Sequence, residues 1–209
     1  MDPPTAFDSF SFKADIRDRE VKYSDAEINE RFGRMPKDIW RDPKYSCLNE
    51  EQRLVVESVL FCNYSVFFTG PAGTGKSHVL NTIKLLNRES VSPKRIAFTA
   101  MTGIAGVAIG GGTLNSWAGI GLGGGSAADL AKRVMGKDPS KKRWNDLTDI
   151  LVIDEMSMME AGMWEKLDLV GRKVRRGGQG LPFGGLKLVL CGDFFQLPPV
   201  KTQVRARED

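Results

Sequence analysis

A chain of 209 residues, 41% hydrophobic and 27% charged, is large enough for one well-buried core plus an appendage, and a formal net charge of +4 is too small to imply a nucleic-acid partner by itself. It contains no run of 18 apolar residues, and its opening, MDPPTAFDSF, has neither a basic stretch nor an apolar segment behind one, so neither a membrane-spanning helix nor a secretory leader is expected. Asp2, Asp8, Asp15 and Asp18 also argue against a mitochondrial presequence.

Residues 1–46 mix charges with scattered aromatics and show no sustained periodicity, so they read as an extended, partly disordered lead-in with one short helix around 24–32. The ordered domain is expected over 47–200, followed by a charged tail at 201–209. It opens on LNEEQRLVVESVLFC, a helical pattern with Asn49 as N-cap, Glu50 and Glu51 in the first turn, and Leu54, Val55, Val59 and Cys62 on one apolar face. Three cysteines (Cys47, Cys62, Cys191), odd in number and widely spaced, read as buried free thiols of a reducing compartment; the expected location is intracellular, nucleus and/or mitochondrion in a eukaryote and cytoplasm in a bacterium.

The stretch SVFFTGPAGTGKSHVL, residues 65–80, follows. A short apolar run leads into Gly70, Pro71, Ala72, Gly73, Thr74, Gly75, Lys76 and Ser77, which fit G-x-x-x-x-G-K-[ST] between a predicted strand and a predicted helix. Glycines let successive N–H groups converge on an anion, Lys76 reaches the outer phosphates of a nucleoside triphosphate, and Ser77 holds magnesium. A glycine-rich turn with a surface lysine is the weaker reading.

Strands are predicted at 65–69, 95–100, 149–153 and 186–191, with helical stretches between them, the alternation of a parallel sheet flanked by helices on both faces. Ten glycines between 103 and 125 are too many for one regular element and read as short helices joined by flexible turns. DILVIDEMSMME then sets a buried run before Asp154 and Glu155. Behind a complete phosphate loop, Asp154 is expected in the magnesium shell and Glu155 beside the attacking water; alone, the same pattern would fit two solvated acids at a strand end.

Residues 171–187 carry Arg172, Lys173, Arg175, Arg176 and Lys187 with no acid, and Lys141, Lys142 and Arg143 lie upstream; a solvated face and a nucleic-acid contact are both open. In LKLVLCGDFFQLPPV, Gln196 stands among apolar residues, either satisfying local backbone or facing the terminal phosphate.

Together, LNEEQ, GPAGTGKS, TAMTGIAG, GTLNSWAGIG, LVIDEMSM and PFGGLKLVLCGDFFQLPPV resemble the motifs of the first RecA-like domain of the PIF family of superfamily-one DNA helicases, from about Leu48 to Val200. The resemblance implies an ATP-dependent 5′-to-3′ DNA helicase acting in repair, recombination and genome maintenance, with ATP and Mg²⁺ as cofactors and single-stranded, forked or structured DNA as partner. It implies that Gln52 reads the adenine edge, besides its possible role as capping partner of Asn49, and that Gln196 senses the γ-phosphate. It implies contacts from Thr102, Gly103, Thr113, Asn115, Ser116 and Trp117 to a DNA single strand; core packing is at least as good a reading of Trp117, and Asn115 stands where the family usually has histidine. Family members continue into a second RecA-like domain, so this chain is expected to be the ATP-binding half, monomeric and inactive alone, with its missing partner domain supplied in cis or trans. Two other classes remain as rivals. A GTPase or small-molecule kinase would share the loop, but no N-K-x-D signature follows it. A non-catalytic P-loop DNA-binding module would not need both Asp154 and Glu155.

Overall fold

The computed structural model describes residues 42–62, 64–90 and 92–194; the helix expected at 24–32, Gln196 and the tail at 201–209 lie outside them. In chain order the elements are α1 (Pro43–Ser46), α2 (Glu50–Leu60), β1 (Val66–Thr69), α3 (Lys76–Glu89), β2 (Ile96–Ala100), α4 (Gly103–Ala108), β3 (Gly112–Thr113), α5 (Leu114–Ala118), α6 (Ala127–Met135), α7 (Asp138–Asn145), β4 (Ile150–Asp154), α8 (Ala161–Val174) and β5 (Lys187–Gly192). The strands form one sheet in the order β1-β5-β4-β2-β3, and every pairing is parallel.

β4 shows why the chain takes this form. All five of its residues are buried, and their side chains alternate between two cores. Ile150 and Val152 join Val66, Phe68, Val189 and Cys191 under α2 and α3. Leu151 and Ile153 join Leu188 under α5 to α8, with Trp144, Leu167 and Val170. A strand apolar on both faces must be covered on both, and helical crossovers between parallel strands supply that cover. The four expected strands are present, each within a residue of its predicted span.

Three local expectations are corrected. In α2 the capping box forms as read: the Asn49 side chain accepts from Gln52 N, and Gln52 returns the bond to Asn49 N. Its buried face, however, comprises Val55, Val56, Ser58 and Val59; Leu54 is exposed and Cys62 only half-buried, because the helix turns its 55–59 arc to the sheet. Of the cysteines only Cys191 is buried, and Cys47 is exposed. The glycine-rich segment contains a short strand, β3, beside β2. Its close packing needs bare backbone: a Cβ at Gly111 would lie 1.9 Å from the carbonyl oxygen of Phe98, and one at Gly106 would lie 2.6 Å from that of Gly112.

Three of the basic residues downstream are occupied in structure. Arg175 donates from Nε to Gly184 O and from its terminal nitrogen to Trp144 O and Thr148 O. Arg143 donates to the carbonyls of Trp117 and Ser116, and Arg172 pairs with Asp168. These bonds tie α5, α7 and α8 together, and Arg175 and Lys187 lie toward the edge of the sheet where β4 and β5 begin. Within the cluster at 171–187, Arg172 and Arg175 belong to this scaffold, whereas Lys173 and Arg176 are exposed.

Trp144 is the largest fully buried side chain, and its indole N–H donates to Ala118 O at 3.0 Å. Trp144→Ala should lower the unfolding free energy by about 3–5 kcal/mol, whereas a change at the exposed Leu122 should move it by less than about 0.5 kcal/mol. Urea titration of both variants checks this.

Candidate functional site

Parallel strands deliver their following turns to one edge of the sheet, and the motif residues gather there. After β1 the chain curls through residues 70–75, with Gly73 at φ +82° and Gly75 at φ +87°, left-handed conformations that glycine adopts without steric cost. Gly75 caps α3, whose first two residues are Lys76 and Ser77. The Lys76 ammonium donates to Gly70 O at 2.6 Å and Pro71 O at 2.9 Å, so it lies folded over the loop it serves. Thr74 braces the curl by donating to Pro71 O at 2.9 Å.

β4 ends on the other side of a cleft of about 380 Å³ whose lining includes Gly73, Lys76, Ser77, Asp154, Glu155 and Asp193. Between β1 and β4 runs β5, which ends in Gly192. A Cβ there would sit 3.0 Å from Ser157 N, so glycine keeps the cleft floor clear, and Thr69 Oγ1 anchors the strand end by donating to Gly192 O at 2.9 Å.

Asp154 is 6% exposed, and its Oδ1 accepts from Glu155 N at 2.8 Å and from the Cys191 thiol at 2.9 Å. Burial, reinforced by the neighbouring carboxylate, pushes the Cys191 thiol well up from its ordinary range, which keeps it a proton donor. With Oδ1 held on both sides, Oδ2 is the carboxylate atom with no protein donor among the described residues. A hydroxyl and a carboxylate oxygen in one cleft, Ser77 and Asp154 Oδ2, are the hard donors that suit Mg²⁺. Glu155 follows in a left-handed conformation, φ 56°, which costs a non-glycine residue on the order of 1–3 kcal/mol and is characteristic of functional turns. Its Oε2 accepts the Thr102 hydroxyl proton at 3.1 Å.

The structure sorts the remaining candidates. Gln52, already in the capping box, also donates from Nε2 to Thr74 O at 3.3 Å, which seats the helix α2 N-terminus against the phosphate loop. Thr102 and Thr113 cap α4 and α5, their hydroxyls accepting from Ala105 N and Ser116 N. Gly103 and Ser116 are exposed and Asn115 half-buried on the same edge, beyond the ends of β2 and β3. Trp117 is corrected: it is buried, its indole N–H reaches Thr148 Oγ1 at 3.4 Å, and its ring lies 4.7 Å from that of Trp144, so it packs the core and offers no stacking face. Cys191 and the Thr102 to Glu155 bond were not readable in the sequence, because neither an S–H donor behind a strand nor a contact between residues 53 apart leaves a periodic signal.

The model of the PIF1-like helicase matches residues 47–208. The chain is 47% identical over 154 residues to the human ATP-dependent DNA helicase PIF1 and 44% identical over 154 residues to that of Saccharomyces cerevisiae, covering 73% and 74% of this chain but 22% and 18% of those proteins. It spans about a fifth of the length of these relatives. The crystal structure of the Candida albicans Pif1 helicase superposes with a TM-score of 0.67 at 45% identity, covering 73% of this chain and 34% of that one. A Bacteroides Pif1 helicase in complex with ADP-AlF3 and single-stranded DNA superposes with a TM-score of 0.54 at 28% identity, over 75% and 34% of the two chains. The parallel five-stranded sheet with its flanking helices is the RecA-like architecture of those structures.

Proposed function

Because the chain belongs to the PIF1-like helicase family, we propose that it forms the nucleotide-binding part of an ATP-dependent DNA helicase. The proposed activity couples ATP hydrolysis to 5′-to-3′ movement along single-stranded DNA and to unwinding in repair, recombination and genome maintenance. The observation that carries this reading is the one cleft shared by Lys76 and Ser77 on one side and Asp154 and Glu155 on the other. The Bacteroides relative solved with ADP-AlF3 and single-stranded DNA supports both ligands.

In this reading Lys76 leaves the carbonyls of Gly70 and Pro71 to neutralise the β- and γ-phosphates, and the loop N–H groups hold their oxygens. Mg²⁺, held through Ser77 and Asp154, would neutralise charge that develops on the phosphates. Glu155 orients the attacking water and takes its proton. Gln52, braced on Thr74 beside the loop, would read the adenine edge. The hydroxyls of Thr102 and Thr113, with Gly103, Asn115 and Ser116, face a DNA backbone laid across the same edge, a sequence-independent contact. A non-catalytic DNA-binding module is the poorer account, since it gives no reason for the strained backbone of Glu155 or for two donors on Asp154.

Lys76→Ala is expected to weaken nucleotide binding by roughly ten- to a hundredfold, the loss of charge-assisted bonds to phosphate. Glu155→Gln is expected to leave nucleotide affinity nearly unchanged while cutting hydrolysis by about 10²–10⁴. Fluorescent-nucleotide titration and phosphate release read the two quantities, and equal loss of affinity in both variants would contradict the assigned roles.

DNA binding should favour single strands over duplex, with little sequence preference, and should weaken with salt at a log–log slope of roughly 0.7 per neutralised phosphate. Labelled oligonucleotides titrated at several salt concentrations measure the slope; a flat response would contradict the proposed surface.

A further inference from the structure

Thr102 stands between the two halves of this reading. Its hydroxyl caps α4 by accepting from Ala105 N at 3.3 Å, and it gives its proton to Glu155 Oε2 at 3.1 Å. A hydroxyl has one proton to donate. A DNA phosphate is only an acceptor, so a Thr102 that grips a phosphate through its hydroxyl must let go of Glu155.

We infer that Glu155 and the DNA backbone compete for the Thr102 proton, so that a single strand seated at α4 releases the residue that activates water. This rests on the proposed role of Thr102 as a strand contact and on that of Glu155 as base. The topology sets the direction of the effect. In the order β1-β5-β4-β2-β3, the phosphate loop follows β1, whereas Thr102 follows β2, on the far side of β4. The Thr102 bond therefore draws one carboxylate oxygen of Glu155 away from Lys76 and Ser77. The backbone between the two residues is clamped, with Met101 N donating to Asp154 O at 3.1 Å and Glu155 N to Asp154 Oδ1 at 2.8 Å, so the exchange is left to side-chain rotation. Thr102 is in this sense a positioning residue for Glu155. Hydrolysis without DNA is held down by one hydrogen bond, and DNA removes it.

The test uses the full-length protein with ¹³C-glutamate, the Glu155 carboxyl resonance being assigned by its loss in Glu155→Gln. Saturating oligo-dT should shift that resonance in the wild type and in Thr102→Ser. In Thr102→Val it should already lie near the DNA-bound position and move little on adding DNA. Single-turnover hydrolysis with enzyme in excess should rise about fivefold in Thr102→Val without DNA, the worth of one net hydrogen bond, and the stimulation by DNA should shrink by about the same factor. Thr102→Ser should restore both; thermal melting identifies any variant that fails to fold, and if Thr102→Val does, the oligo-dT shift of the Glu155 resonance in the wild type decides. A Glu155 resonance at the wild-type position in folded Thr102→Val, or one that oligo-dT leaves unmoved in the wild type while it binds, overturns the competition. Failure of oligo-dT to bind at all overturns the DNA-binding reading instead, and full turnover in Glu155→Gln overturns the assignment of the base.

Discussion

All five strands run the same way, and that single constraint builds the site. In a parallel sheet every turn that follows a strand emerges at one edge, so residues far apart in the chain meet there without further instruction. The loop at 70–75, the carboxylates at 154 and 155, Gly192 and the caps at 102 and 113 all lie at the ends of strands or in the turns that follow them. What makes the sheet parallel is the burial of β4 on both faces, which only helices crossing above and below can satisfy. The apolar character of Ile150 to Ile153 is thus a condition for the chemistry of Asp154, which the same strand carries to the cleft.

At that edge the protein spends polar interactions on orientation. Asp154 is fixed by an amide and a protonated thiol, the loop by Thr74 and Gln52, and the end of β5 by Thr69. Each bond restrains a group beside the cleft, so that little rearrangement is needed when a triphosphate arrives. Two groups at the cleft are held differently. Among the described residues Lys76 is bonded only to carbonyls of its own loop, and Glu155 sits on a strained backbone with its side chain borrowed by Thr102.

Most of this was legible in the sequence where local chemistry decides it. The curl at 70–75 followed from glycine spacing between a strand and a helix, the capping box from Asn49 and Gln52, and the four main strands from apolar runs of the right length. Tertiary contacts decide the rest. Leu54 fits the helical stripe yet faces outward, since periodicity gives the width of a face but not which arc meets the sheet. The strand β3 is two residues long and glycine-rich, defined by pairing with β2 rather than by propensity. Trp117 sits in a motif that suggests contact with DNA, but Trp144 and Thr148, brought in by α7 and the turn before β4, enclose it. Within the basic run at 171–187, composition gives no sign that Arg175 turns inward to the carbonyls of residues 144, 148 and 184.

The central claim is that the loop after β1 and the carboxylate at the end of β4 act as one metal-dependent nucleotide site. The most direct measurement is the affinity of a fluorescent ATP analogue for the wild type and for Asp154→Asn, each with Mg²⁺ and with a chelator. If the two halves form one site, Mg²⁺ should tighten binding to the wild type by about tenfold or more, and Asp154→Asn should lose most of that gain while keeping the metal-free affinity. Equal tightening by Mg²⁺ in both proteins would show that Asp154 takes no part in the nucleotide site.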